Sequence, residues 1–293
     1  MELTAVQGLR AALPYLRRFA GELFVIKLGG EALESDKTAS AVIEQIAMLH
    51  QLGMRVILVH GGGAQATRLM DEFGIASHFV DGRRVTSPTS IDALAMTLNG
   101  SVQSKILSLC RAHSLRAVGV SGIDAGLITA TKRPPVKSKS GETVDYGQVG
   151  DIVRVDPKLL HLFVDSGIVP IVSCLCADEA GQILNVNADD VAAAISTSVC
   201  AQKLILATKP RGILKNINDA SSLYSELDVS ELEALESSGV IATGMLPKSK
   251  AIRTALEGGV ASVHVISFEY PDSFLVEIFT NEGCGTMITA GGP

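Results

Sequence analysis

The chain has 293 residues, 47% hydrophobic and 19% charged, with a net charge of −6 and only eight Phe, four Tyr and no Trp. It is long enough to bury a large core, and too acidic and too poor in aromatics for nucleic-acid binding to be its main business. No apolar run reaches membrane-spanning length, and five scattered cysteines, an odd number, argue against a disulfide framework and suit a reducing, cytoplasmic setting.

Residues 4–18 set Val6, Leu9, Leu13 and Leu16 at helical spacing, with Pro14 as a kink. The pattern predicts an amphipathic helix that packs on its own lobe or crosses to another subunit; its arginines and proline do not make a signal-peptide core. Next, Phe24-Val25-Ile26-Lys27-Leu28 reads as a short buried strand that opens into Gly29-Gly30. A buried ammonium without a partner is expensive, so Lys27 is expected to face an anion, with a phosphate chain met by Lys27 and the amides of Gly29 and Gly30 as the hypothesis. The plainer alternative is a lysine snorkelling to solvent.

A helix over 36–52 and a strand over 55–60 complete a βαβ unit with continuous apolar strands, the pattern of a mostly parallel sheet covered on both faces. The strand enters Gly61-Gly62-Gly63 and a helix from Ala64 to about Phe73. A long helix over 90–113 and a strand over 117–120 follow. Alternation broken by prolines and glycines predicts hairpins over 127–155, then a helix over 157–166 and a strand over 168–175. A hairpin turn at 178–181 leads to Ile183-Leu184.

A second cycle opens at Asn185. It comprises a helix over 188–200 capped by Asn187, strands at 203–207 and from 212 to 214, helices at 230–237 and 247–257, a strand at 262–266, a helix at 272–280 and a last strand at 286–288. No linker interrupts it, so two lobes of one sheet are expected rather than separable domains.

Several stretches carry chemistry. Gly61-Gly62-Gly63-Ala64-Gln65-Ala66 fits the loose dinucleotide pattern with Asp81 twenty residues on, but His78-Phe79-Val80 before a basic Gly82-Arg83-Arg84 makes a poor second strand. What survives is a glycine-rich turn offering helix N-terminal amides to an oxyanion. There is no P-loop motif, and Ile123 stands where a nucleophile elbow needs glycine, so a serine hydrolase is not supported. Cys174-Leu175-Cys176 reads as packing, and the six histidines show no zinc-ligand spacing. Asn185-Val186-Asn187-Ala188-Asp189-Asp190 and Gly244-Met245-Leu246-Pro247-Lys248 are each explicable as helix entries. Together with Lys27 they make a phosphoryl-transfer set: two cations, one carboxylate to hold them, and glycine amides.

Val25 through Gly30, Val59-His60-Gly61-Gly62-Gly63, Gly82 through Thr86, Asn185 through Asp189, Gly244 through Lys248 and Gly283-Cys284-Gly285-Thr286-Met287-Ile288 occur in the order seen in N-acetylglutamate kinases of the amino acid kinase family. The chain resembles that family from about residue 5 to 289. The resemblance implies one domain over 1–293, a three-layer αβα sandwich of amino acid kinase fold, with an oligomerisation helix at 4–18, an acceptor lobe at 23–184 and a nucleotide lobe at 185–293.

The implied reaction is transfer of the ATP γ-phosphoryl group to the side-chain carboxylate of N-acetyl-L-glutamate, in arginine biosynthesis. By the same resemblance, Lys27 and Lys248 stabilise the transferring group and Asp189 orients them. Gly61, Gly62, Arg84 and Asn185 hold the acetylated amino acid, with Arg84 suited to a bidentate grip on its α-carboxylate. Gly29, Gly30, Thr208 and Met245 lie on the nucleotide side, and Mg²⁺ rides on the phosphates rather than in a protein cage. Ala12-Leu13-Pro14-Tyr15 resembles the arm of arginine-inhibited members that interlace into hexamers, so a homo-oligomer, dimer or hexamer, is expected, with L-arginine as an inhibitor near Tyr15, His264, Glu277 and Gly283.

Three positions depart from the pattern: Lys209 replaces an aspartate beside the nucleotide, Ser87 another aspartate, and Ile123 a frequent lysine. They motivate a rival reading, a kinase-like regulatory domain related to acetylglutamate synthase that binds arginine or acetylglutamate without phosphorylating it.

Overall fold

The computed structural model describes residues 2–138, 140–216, 219–241 and 244–291. Helix α1 (Glu2–Phe19) precedes β1 (Leu23–Leu28), α2 (Asp36–Gln51), β2 (Arg55–His60), α3 (Gly63–Glu72) and a hairpin of β3 (His78–Val80) and β4 (Arg83–Val85). Helix α4 (Pro88–Ala95) runs through a π-helical segment, Met96–Val102, into α5 (Gln103–Ala112), and β5 (Ala117–Ser121) follows. Next come β6 (Ile128–Lys132), β7 (Val136–Lys137), β8 (Thr143–Val144), β9 (Gly150–Val155), α6 (Lys158–Asp165), β10 (Val169–Ser173), β11 (Leu175–Ala177) and β12 (Ile183–Asn185). The remainder holds α7 (Ala188–Ser198), β13 (Lys203–Thr208), β14 (Glu226–Asp228), α8 (Val229–Ser237), α9 (Leu246–Glu257), β15 (Ser262–Ser267), α10 (Ser273–Phe279) and β16 (Thr286–Thr289).

Eight strands form one sheet in the order β14-β16-β15-β13-β1-β2-β10-β5. Strand β1 lies at its centre, parallel to β2 on one side and β13 on the other; the antiparallel pairing is that of β15 with β16. Side chains alternate across a strand, so β1 feeds two cores. Leu23 and Val25 join Val59, Leu204 and Val265 beneath α7 and α9, whereas Phe24, Ile26 and Leu28 join Leu58, Ile205 and Ile266 against α2, α5 and α10. The result is three layers, helix on sheet on helix. Each fully buried Phe, Ile or Leu of β1 contributes about 1.5–3 kcal/mol, which is why this strand tolerates one charged residue near its end.

The chain leaves β1 towards β2 and leaves β13 towards β15, on opposite sides. A crevice therefore opens beyond the carboxyl ends of these two strands, the place where open parallel sheets bind ligands. A second sheet has the order β12-β11-β6-β9, and β7 with β8 makes the separate hairpin expected from the proline and glycine punctuation.

Four expectations need correction. The run 168–175 is two strands in two different sheets, broken at Cys174, because a continuous apolar run carries no signal of a change of sheet. The helix over 90–113 is interrupted by the π segment, where the hydroxyls of Thr97 and Ser101 donate to the carbonyls of Ala93 and Thr97. The strand from 212 to 214 is reduced to one bridge between Leu214 and Leu223. Residues 78–85, read as a poor strand, form a tight hairpin turned by Asp81 and Gly82 in left-handed backbone, a short element whose exposed residues give little periodicity.

Candidate active site

Alternation places Lys27 on the α7 face of the sheet, in line with Leu23 and Val25. Directly above it, the Asn187 side chain accepts from the Asp189 amide at 2.7 Å and so starts α7 with Asp189 in its first turn. Lys27 Nζ lies 2.7 Å from Asp189 Oδ1, and Lys248 Nζ, from the first turn of α9, lies 3.1 Å from Oδ2. Lys27 and Asp189 are 6% and 4% exposed. Burial alone would raise the Asp189 carboxyl, but the two ammonium groups outweigh it and hold it below the usual carboxylate range. Three groups distant in sequence thus meet as one triad, with Lys27 and Asp189 buried and Lys248 half-buried.

Two glycine turns flank the triad. Gly29-Gly30 leaves β1, and Gly61-Gly62 leaves β2 into α3; the Gly61 amide donates to Leu28 O at 3.0 Å, which ties the turns together. Gly62 has no room for a side chain, since a Cβ there would lie 2.7 Å from Leu98. On one side of the triad, a cavity of about 440 Å³ is lined by Gly61, Gly62, Arg84, Asn185 and Asp189. On the other, a cavity of about 1020 Å³ is lined by Gly29, Gly30, Thr208, Met245 and Lys248, with Ile213, Val240 and Phe268 as an apolar wall. Lys27 lines both.

Arg84 is buried under Phe79, with its guanidinium carbon 4.6 Å from the ring centroid. Its nitrogens donate to Ser77 Oγ at 2.6 Å, Thr67 Oγ1 at 2.7 Å and Gly63 O at 3.1 Å. These partners are neutral, and no carboxylate forms an ion pair with Arg84 among the described residues. Burial lowers the guanidinium from its ordinary value while Asp71 pulls the other way. Asn185 Nδ2 donates to Thr86 Oγ1 at 3.3 Å, placing the end of β12 against the end of β4.

On the larger cavity, Thr208 Oγ1 donates to Pro210 O at 2.9 Å and Met245 precedes the first turn of α9. The substituted Lys209 lines this cavity, its ammonium 3.8 Å from Glu269. Ser87 keeps a capping role, accepting from the Ser90 amide at the start of α4, and Ile123 packs at the edge of the core.

Tyr15, His264, Glu277 and Gly283 gather at a different place, under α1. Tyr15 donates to Asn281 Oδ1 at 2.5 Å. His264 Nδ1 donates to Glu277 Oε1 at 2.7 Å, and Glu277 Oε2 accepts from the amides of Cys284 and Gly285. A Cβ on Gly283 would lie 2.7 Å from that same carboxylate. Lys203 completes the cluster, 2.7 Å from His264 Nε2 and 5.3 Å from the Phe19 ring. Burial brings Lys203 down to about 8 and lowers His264 from its ordinary value against the pull of Glu277, whereas His264 and the two amides overcome burial to lower Glu277. Lys203 escaped the sequence reading because it starts a strand like any surface lysine. Its one available signal was the alternation that puts it in register with Phe24.

Comparison with known proteins bears on this arrangement. The family model described as the amino acid kinase family matches residues 22–267. The acetylglutamate kinase of Myxococcus xanthus is 43% identical over 286 residues, covering 96% of this chain and 93% of its own. That of Archaeoglobus fulgidus is 41% identical, covering 97% and 98%. Among solved structures, the N-acetylglutamate synthase of Neisseria gonorrhoeae complexed with coenzyme A and N-acetyl-glutamate superposes with a TM-score of 0.85 at 28% identity over 98% of this chain. This chain spans 64% of the length of that synthase, whose complex with coenzyme A and L-arginine gives a TM-score of 0.82 at 28% identity, covering 98% of this chain and 66% of that one. By sequence along most of its length, and by the sheet that carries its Lys–Asp–Lys triad, this chain belongs to the amino acid kinase family.

Proposed function

We infer that the chain transfers the γ-phosphoryl group of ATP to the side-chain carboxylate of N-acetyl-L-glutamate, giving N-acetylglutamyl 5-phosphate in arginine biosynthesis. The observation that carries this reading is the convergence of Lys27 and Lys248 on one buried carboxylate between two glycine turns. The acceptor is a carboxylate, already ionised at neutral pH, so the reaction needs no general base. Its difficulty is electrostatic, an anion attacking a polyanion, and two ammonium groups aimed at the transferring phosphoryl answer that difficulty. Asp189, kept ionised by those same groups, orients them.

In this reading Gly29, Gly30, Thr208 and Met245 serve the nucleotide in the larger cavity, with the apolar wall for its base. Gly61, Gly62, Arg84 and Asn185 serve the acetylated amino acid, and the uncancelled charge of Arg84 suits its α-carboxylate. Both Asp189 oxygens are engaged by lysines, so Mg²⁺ would be carried by the nucleotide phosphates rather than by this carboxylate, and would supply charge neutralisation there.

Two finer proposals rest on α1. Its Val6 and Leu9 are 50% and 60% exposed, an apolar stripe suited to a second copy of the chain in a homo-oligomer. The Tyr15, His264, Glu277 and Gly283 cluster is proposed as an arginine site, where the Glu277 carboxylate suits a guanidinium and Lys203 suits a carboxylate. The cluster is closed in this structure, so entry requires the end of α1 to move.

A coupled assay of ADP release with Mg-ATP and N-acetylglutamate tests the main reading. Wild type should turn over, and Lys248→Ala should be slower by about 10²- to 10³-fold. Wild type without acetylglutamate-dependent turnover would instead favour the regulatory reading raised by Lys209.

A further inference from the structure

Gln65 touches neither substrate cavity, yet it sits between the two glycine turns. It lies in the first turn of α3, and its Nε2 donates to Gly30 O at 2.7 Å. That bond sets the orientation of the amide, because the flipped form would turn an oxygen onto the Gly30 carbonyl. The Oε1 atom is then buried against the backbone of the turns with no donor of its own. A Cβ built on Gly30 would lie 2.5 Å from this oxygen and 3.3 Å from the Gly62 Cα. The donor-side turn and the acceptor-side turn are therefore in contact, and Gln65 occupies the space that a side chain at position 30 would need. Leaving a buried amide oxygen unpaired is costly, and the Gly30 bond is the compensation visible for it.

We propose that Gln65 is a positioning residue for phosphoryl transfer: it clamps the nucleotide-side turn Gly29-Gly30 to the acceptor-side turn Gly61-Gly62, fixing the distance between donor and acceptor without touching either. The role rests on the acetylglutamate-phosphorylating reading given above. Each cavity keeps its own lining when Gln65 is shortened, so each substrate keeps its affinity. What changes is the registration of the reacting atoms, and a misplacement on the order of 1 Å costs about 10²-fold in rate.

The test uses the full chain as wild type, Gln65→Ala, Gly30→Ala and the double variant. Turnover at saturating substrates should fall by about 10- to 100-fold in Gln65→Ala, with the separately titrated affinities for a non-hydrolysable ATP analogue and for acetylglutamate within about 3-fold of wild type. A structural defect would instead lower the melting temperature and both affinities together, and that result overturns the proposal, as does turnover within 2-fold of wild type. Gly30→Ala should weaken analogue binding by roughly tenfold, and removal of the Gln65 amide in the double variant should restore part of it, since the 2.5 Å clash goes while the 3.3 Å approach to the Gly62 backbone stays. A double variant as weak as Gly30→Ala overturns the clamp. This arm needs no turnover, so it tests the contact of Gln65 with the Gly30 turn separately from activity; a wild type that proves inert would sink the phosphorylating reading and the positioning role with it.

Discussion

Asp189 draws its meaning from its surroundings. Its folded carboxyl titrates below the unfolded range, so the pairing contributes stability above about pH 4 and loses it as pH falls through the lower, folded value. Asp189→Asn should remove that part of the acid limb from a profile of melting temperature against pH. It should also lower the melting temperature at pH 7, where two ammonium groups would face one another without a counter-charge. An unchanged profile would show that the triad is not formed in solution. His60 adds a second acid sensitivity. Burial holds its imidazole down to about 4 from an ordinary 6.5, so the stability it confers is complete above pH 6.5 and drains away as pH falls towards 4. In the profile, His60→Gln should flatten the decline between those two values.

Helix α1 behaves as two halves. Its last turns dock, with Phe19 edge-on to Phe24 and Tyr15 and Leu16 against the α2 side of the core, while Val6 and Leu9 face solvent. Deleting residues 1–13 should therefore leave the fold intact and lower the mass measured in solution by light scattering; an unchanged mass would remove α1 from the oligomer interface. The π segment between α4 and α5 is a second element with a purpose: it carries Leu98 and Val102 against Gly62, so it shapes the Gly61-Gly62 turn from behind.

For the whole molecule, the site exists because the sheet brings β1 and β13 side by side and lays α7 and α9 over them. Ligands that need both halves should stabilise the whole chain. Mg-ATP and acetylglutamate at 100 times their dissociation constants should each contribute about 2.7 kcal/mol to unfolding free energy, a rise in melting temperature readable by calorimetry. A shift with neither ligand would count against the cleft as their site.

Pattern alone carried much of this. The alternation of sheet strands and covering helices was legible because β1, β2 and β13 are mostly apolar runs ended by glycine or polar turns, and strand burial needs no distant partner to be read. Lys27 stood out because a charge in a buried strand breaks a local rule, whereas Asp189 and Lys248, each explicable as part of a helix entry, gained a role only when set beside it. Their meeting within 3.1 Å depended on the packing of α7 and α9, which residue order does not contain. The same holds for the change of sheet at Cys174, the Lys203–His264–Glu277 cluster and the Gln65 clamp. Local periodicity records which face of an element is buried, whereas only the folded chain records what that face is buried against.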